Sequence, residues 1–157
     1  AVQLRAHLPV QRGTAIAHGD FRFGNCLTDV GEGRINAVLD WELCTLGDPL
    51  ADLGYLGVYW YDGTPETVRA NDPTSAGGFM SYTDLVERYA VRTGRDVSGI
   101  GYYIAFGCWR LAVISEGVYS RYVHGAMGDD GDIDVSAFKE STEVLAERAR
   151  RAMNAWA

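Results

Sequence analysis

The run from Ile100 to Val123 constrains the fold more than any other part of the sequence. It is apolar nearly all the way round through Ile114 and is interrupted by Arg110 and Glu116. A helix that is hydrophobic on every side is either a membrane span or the centre of a helical core. The two charges favour the core, and no uninterrupted apolar stretch approaches the roughly 20 residues that a span requires. Other elements must therefore wrap this helix. Residues 81–93 carry Tyr82, Leu85, Val86, Tyr89 and Ala90 at helical spacing, and Gly94 stops the pattern. Residues 135–155 read as an amphipathic helix with Phe138, Leu145 and Met153 inward. Pro49 suits a first helical turn, with Leu50, Leu53, Tyr55 and Leu56 on the apolar side that follows. Residues 1–8 read as the tail of a helix closed by Pro9, and residues 62–78 as an irregular surface loop.

Upstream of Pro49 the pattern is different. Thr14–Ala17 reads as a short buried strand, and two more strands, Cys26–Asp29 and Arg34–Leu39, are joined across Gly31-Glu32-Gly33. A glycine-containing turn of this length between β-rich runs predicts a hairpin. No helix starts after Gly33, so the two glycines form a turn rather than a phosphate cradle. A few strands followed by helices make a mostly helical α+β domain, one unit over residues 1–157, with no internal repeat. Within it, residues 14–60 hold the strands and loops and residues 79–157 a helical subdomain.

Composition excludes several classes of function. The net charge is −7 and the sequence pI about 4.8, whereas nucleic-acid and membrane-surface proteins draw their affinity from basic faces. Neither a nucleic acid nor a membrane is therefore an expected partner. The first residues, Ala1-Val2-Gln3-Leu4-Arg5, resemble neither a signal nor a transit peptide. Cys26, Cys44 and Cys108 are odd in number, far apart and set among apolar neighbours, so each reads as a buried reduced thiol. That fits the cytoplasm. The acidic stretch Asp129-Asp130-Gly131-Asp132-Ile133-Asp134 invites a calcium reading, but no register supplies the ligands, Gly and Glu of a helix–loop–helix calcium site together. It reads as a solvated loop leading into a helix.

The chemistry concentrates in His18-Gly19-Asp20-Phe21-Arg22-Phe23-Gly24-Asn25 and in Leu39-Asp40-Trp41-Glu42. Asp20 lies just past a buried strand, in a loop that Gly19 and Gly24 allow to turn sharply. Hairpin pairing brings Asn25 and Asp40 to one end despite their separation in sequence. An Asp and an Asn oxygen there suit Mg²⁺, a hard cation that takes one or two protein ligands and finds the rest in water and phosphate. Asp20 stays free to receive a proton from a substrate hydroxyl. Phosphoryl transfer needs that division of labour.

His-Gly-Asp-x-x-x-x-Asn, a hydrophobic strand, Asp-Trp-Glu and then Gly47-Asp48-Pro49-x-x-Asp52-Leu53 resemble the aminoglycoside phosphotransferase and choline kinase group, distant relatives of protein kinases. The match is close over about residues 14–60. The later Glu116-Gly117-Val118-Tyr119-Ser120-Arg121-Tyr122 is most similar to the subgroup related to the domain fused to some acyl-CoA dehydrogenases. The resemblance implies the C-terminal lobe of a protein-kinase-like fold, with the catalytic loop and a metal-binding Asp carried on a short hairpin. It implies Asp20 as the catalytic base or hydroxyl-orienting carboxylate and Asn25 and Asp40 as Mg²⁺ ligands, with Glu42 a lesser candidate. His18 would brace the loop through backbone hydrogen bonds, and Asp48 would tie the next helix N-terminus to the catalytic loop. Arg22 could meet a phosphate or shield Asp20. ATP or GTP would be the donor and a small-molecule hydroxyl the acceptor.

Complete members of that group have an N-terminal lobe whose strand lysine contacts the nucleotide phosphates. Here the motif begins at His18, and the only lysine, Lys139, lies in the last predicted helix. The nucleotide lobe is thus absent from these residues, and nothing among them is marked as a nucleotide contact. Three arrangements are open: a piece of a complete kinase-like enzyme, a short non-catalytic binding or scaffold domain that kept the lobe, or a lobe completed by a partner chain. A half cleft would expose apolar surface, so self-association through that face is an expectation. A metal-dependent hydrolase is a more distant reading, since His18 is the only histidine near the carboxylates. The acceptor's identity cannot be read from these residues.

Overall fold

The computed structural model describes residues 1–11, 13–61, 63, 73–126 and 133–156. Its element order is α1 (Val2–Ala6), β1 (Ala15–Ala17), β2 (Cys26–Asp29), β3 (Arg34–Val38), β4 (Thr45–Gly47), α2 (Leu50–Val58), α3 (Tyr82–Thr93), α4 (Ile100–Val123) and α5 (Val135–Trp156). This is the mostly helical α+β arrangement that the sequence pattern predicts.

The helices hold the core. Val58 of α2, Cys108 and Ala112 of α4 and Leu145 of α5 form one buried cluster, and Leu4, Tyr102, Ala105 and Met153 form a second. Leu50, Leu53 and Val86 close a third between α2 and α3, with Tyr82, Tyr89 and Ile100 against it. Helices α2 and α4 pack closely because glycine faces backbone. A Cβ on Gly54 would lie 2.7 Å from the Tyr103 carbonyl carbon, and one on Gly107 2.9 Å from Val58 Cγ2. The C-terminal end of α2 is secured by Arg148 of α5, whose guanidinium donates to the Val58 carbonyl at 3.0 Å. At the start of α3, the Ser81 hydroxyl accepts from the Asp84 N–H at 3.1 Å, and Gly94 ends the helix with left-handed φ of 67°.

Helix α4 is less enclosed than its composition suggests. Tyr102, Ala105, Cys108 and Ala112 are buried, but Val113 and Ile114 are about half exposed. Among the described residues no helix is long and apolar enough to cross a membrane.

The strands form two antiparallel pairs. β1 pairs with β4, with Ile16 opposite Leu46, and β2 pairs with β3 as the predicted hairpin, from Asp29 opposite Arg34 to Cys26 opposite Val38. A bulge between Leu27 and Thr28 shifts the hairpin register. The turn is closed by the Asp29 carboxylate, which accepts from the Glu32 N–H at 3.0 Å, and by Gly33 with φ of 62°. Of the expected buried thiols only Cys108 is buried; Cys26 is half-buried and Cys44 exposed. Cys44 leaves a short 3₁₀ turn, Trp41–Leu43, whose residues all reach solvent, so its apolar neighbours do not enclose it. Most of the predicted 62–78 loop, and Asp129–Asp132 of the acidic stretch, lie outside the described residues.

Candidate active site

The loop after β1 is fixed by backbone hydrogen bonds that a single carboxylate collects. The Asp52 oxygens accept from the His18 N–H at 2.6 Å and from the Gly19 N–H at 2.8 Å. Asp52 sits in the first turn of α2, and β1–β4 pairing lays the entry to that helix beside the loop. Gly19 is required at this turn: its φ is 85°, and a Cβ there would meet the Leu43 carbonyl oxygen at 2.6 Å.

His18 joins the loop to the end of the hairpin. Its Nδ1 accepts from the Asp20 N–H at 3.2 Å, so the ring is the Nε2–H tautomer and donates to the Leu39 carbonyl at 2.8 Å. The ring is 2% exposed and lies against Trp41 with 4.6 Å between centroids. The predicted bracing role of His18 thus corresponds to two bonds, one to each segment of the site.

Asp20 is held mainly at one oxygen. The Asn25 amide donates to Oδ2 at 2.7 Å and to the Asp20 carbonyl at 2.9 Å, and Arg22 Nε approaches Oδ2 at 3.5 Å. On the other side, an Arg110 guanidinium nitrogen lies 3.8 Å from Oδ1. The Asp20 side chain is 18% exposed. Beneath it is a tyrosine pair, Tyr55 and Tyr59, with hydroxyls 3.2 Å apart. Burial first, then Tyr59 and Asp20, push the Tyr55 phenol far above its ordinary range, so it remains protonated.

The hairpin brings the backbones of Asn25 and Asp40 to the same end. The Leu39 N–H donates to the Asn25 carbonyl at 2.8 Å, which sets Asp40 one residue beyond that link. Asn25 is buried and spends its amide N–H₂ on Asp20, so its Oδ1 is the atom left for a ligand. Asp40 is exposed and is the one described non-glycine residue with positive φ, at 67° with ψ 53°. Non-glycine residues in this region recur where a fold aims a functional side chain. A buried amide oxygen and an exposed carboxylate at one end of the hairpin are donors of the kind a hard divalent cation takes. Among the described residues no group of three or more His, Cys, Asp or Glu side chains forms a metal cluster. Glu42 lies on the exposed 3₁₀ turn, and among the described residues no hydrogen bond or ion pair links it to Asp20, Asn25 or Asp40.

Asp48 departs from expectation. Its Oδ1 accepts from the Leu50 N–H at 2.9 Å, which caps the entry to α2, and Tyr103 of α4 lies close to its carboxylate. The tie to the loop after β1 is made by Asp52 instead. A carboxylate one helical turn further on faces the His18 and Gly19 amides, while Asp48 is spent on its own helix. Arg110, on α4, is the other residue that sequence reasoning missed. Its position inside an apolar helix was its one visible signal.

The model of the phosphotransferase enzyme family matches residues 1–85. The chain is 35% identical over 127 residues to acyl-CoA dehydrogenase family member 10 of Mus musculus, covering 78% of this chain and 12% of that protein. It is 32% identical over 135 residues to acyl-CoA dehydrogenase family member 11 of Homo sapiens, covering 84% and 17% respectively. A crystal structure of a candidate aminoglycoside phosphotransferase from Ralstonia eutropha JMP134 superposes with a TM-score of 0.72 at 30% identity, over 96% of this chain and 47% of that one. The chain therefore spans under a fifth of these curated relatives and about half of the solved neighbour.

Proposed function

This chain belongs to the phosphotransferase enzyme family, and on that premise we propose that it forms the acceptor-activating half of a kinase-like phosphotransferase. The donor is ATP or GTP and the acceptor a small-molecule hydroxyl. Asp20 takes the acceptor's proton as the oxygen attacks the γ-phosphorus; the bond to the β-phosphate oxygen breaks, and the nucleoside diphosphate leaves with its electron pair. Asn25 Oδ1 and the Asp40 carboxylate would hold Mg²⁺, with Glu42 as a further candidate. When bound, that ion supplies positive charge against the phosphate oxygens. His18 and Asp52 act through the loop, orienting Asp20 without touching substrate. Three free thiols and a nucleotide donor fit the cytoplasm.

The observation that carries this reading is the asymmetry at Asp20. One carboxylate oxygen is taken by Asn25 at 2.7 Å, while Arg110 approaches the other only to 3.8 Å. A base needs its carboxylate positioned but not fully spent. The retained set Asp20, Asn25 and Asp40 favours catalysis over a scaffold that merely keeps the fold. The test is phosphorus NMR of the natural protein with Mg²⁺, ATP or GTP and a panel of hydroxylated metabolites and antibiotics. A new phosphomonoester signal is expected, and none with either donor across the panel would overturn the reading.

A further inference from the structure

Helix α2 turns one face towards the loop after β1. Asp52 and Tyr55 lie on it at i and i+3, with Tyr59 at i+7 just past the helix end. Asp52 holds the His18 and Gly19 amides. One turn further on, the buried Tyr55 meets Tyr59 edge to face, with ring centroids 5.3 Å apart and hydroxyls 3.2 Å apart. Helix α4 passes close to this face at Gly107, where a Cβ would stand 3.4 Å from Tyr55 Cα. Arg110 follows one turn later on the same side of α4, and its guanidinium lies over the Tyr55 ring at 4.3 Å from the centroid.

From that seat Arg110 faces the Asp20 oxygen opposite the one that Asn25 bonds. Asn25 donates to Oδ2 at 2.7 Å, and an Arg110 nitrogen stands 3.8 Å from Oδ1. A single hydrogen bond leaves a carboxylate free to swing about it, and a positive charge on the far side removes that freedom. A guanidinium and a carboxylate with nothing else to hold them close to a fork at about 2.7–2.9 Å. This pair stops short of that distance, with the guanidinium on a ring that Tyr59 and the packing of α4 keep in place. A fork would fill Oδ1, the oxygen left to take the acceptor's proton, and the longer approach does not.

Resting on the phosphotransferase reading, we infer that Arg110 is a positioning residue for the base: it orients the Asp20 carboxylate by its charge, and Tyr55 holds it at a stand-off that leaves Oδ1 open. Arg110 acts through Asp20 and does not touch substrate. Arg22 cannot play this part. It lies over Tyr59 at 5.7 Å and approaches Oδ2 at 3.5 Å, but it belongs to the same loop as Asp20 and moves with it. Arg110 is a fixed reference, because α4 runs through the core with Tyr102, Ala105, Cys108 and Ala112 buried. One side chain thereby ties the orientation of the base to the helical core.

Crystal structures and steady-state kinetics of the natural protein and its variants test this, with ATP and whichever acceptor the phosphorus NMR panel identifies. In Arg110→Met the Asp20 side chain should occupy more than one rotamer. Its kcat and kcat/KM should fall together, by about 10²-fold, the scale of a misplaced catalytic group, with the KM for ATP and for acceptor little changed. Arg110→Lys keeps the charge and should recover part of kcat. In Tyr55→Leu the guanidinium should close on Asp20 to about 2.8 Å, and kcat should fall because Oδ1 is occupied. The double variant should be no slower than Arg110→Met alone, since without the guanidinium no fork can form. A single Asp20 rotamer with near-normal kcat in Arg110→Met overturns the inference. So does a raised KM at unchanged kcat, which would make Arg110 a substrate-binding group. Losses that multiply in the double variant overturn the role of Tyr55. If Tyr55→Leu does not fold, the two Arg110 variants still decide. If no acceptor is phosphorylated, the functional reading fails separately, and the Asp20 rotamer in Arg110→Met then upholds or overturns the positioning by itself.

Discussion

The helical half and the strand half of this chain divide labour unequally. From α2 onward the helices build the core: Val58 and Cys108 are wholly buried and Leu145 nearly so. In the strand half Ile16, Leu27, Leu43 and Leu46 are each more than half exposed, and the buried side chains include the polar His18 and Asn25. Short two-stranded pairs have too little face to bury a core of their own. They are rigid because particular polar contacts pin them to the helices, chiefly Asp52 to the His18 and Gly19 amides. One half supplies stability and the other supplies geometry. Changes in the strand half should therefore cost activity out of proportion to stability, and changes in the helical half the reverse.

The largest expected effect is Asp20→Asn in the natural protein. It should lower kcat by about 10²–10⁴-fold, the usual share of a positioned base, and leave the unfolding midpoint close to wild type. Near-normal turnover by that variant would remove Asp20 from the role. Leu145→Ala tests the other half. It empties a site between α2, α4 and α5 and should cost about 3 kcal/mol of stability in denaturant titration, with kcat per folded molecule little changed. A loss of kcat as large as that of Asp20→Asn would mean the two halves are not separable.

The same division explains what could be read from the sequence. Helical spacing placed α3 within a residue and α4 and α5 nearly end to end, and alternating short runs bounded by glycine placed the hairpin. These signals are local. The pairing of β1 with β4, the tie from Asp52 and the reach of Arg110 from α4 are not, since each joins residues about thirty or more positions apart. Asp48 and Asp52 are both acidic and both at the start of α2, and only the path of β4 decides which one meets the loop. The half-exposed flank of α4 was illegible for a similar reason. Composition marks Val113 and Ile114 as core, but whether a neighbour covers them is a property of packing.

Asp52 lies on the boundary, and its substitution sharpens the comparison. Asp52→Ala leaves the His18 and Gly19 N–H groups without their acceptor and should cost about 2 kcal/mol. Asp52→Asn keeps one carbonyl acceptor and should fall between. Because the loop loosens with it, kcat should drop alongside stability in both variants. Thermal unfolding and steady-state kinetics on the same samples check this. Loss of stability with intact kcat would mean that Asp20 is held well enough by Asn25 and His18 alone.

The smallest expected effect separates geometry from stability most cleanly, because at Asp40 the two should move in opposite directions. A residue with a Cβ in left-handed backbone carries strain that glycine does not. Asp40→Gly and Asp40→Ala both delete the carboxylate, so both should lose Mg²⁺-dependent turnover to a similar degree. Their stabilities should differ: the Gly variant should exceed the Ala variant by about 1 kcal/mol. The Gly variant should lie near or slightly above wild type, since relief of strain is offset by the greater freedom of glycine in the unfolded chain. Asp40 would then be a position where the fold accepts strain to aim one carboxylate at the hairpin end. If Asp40→Ala proves as stable as Asp40→Gly, the left-handed turn is not imposed by the surrounding strands, and the strand half is less rigid at the hairpin end than the loop after β1 is at Asp20.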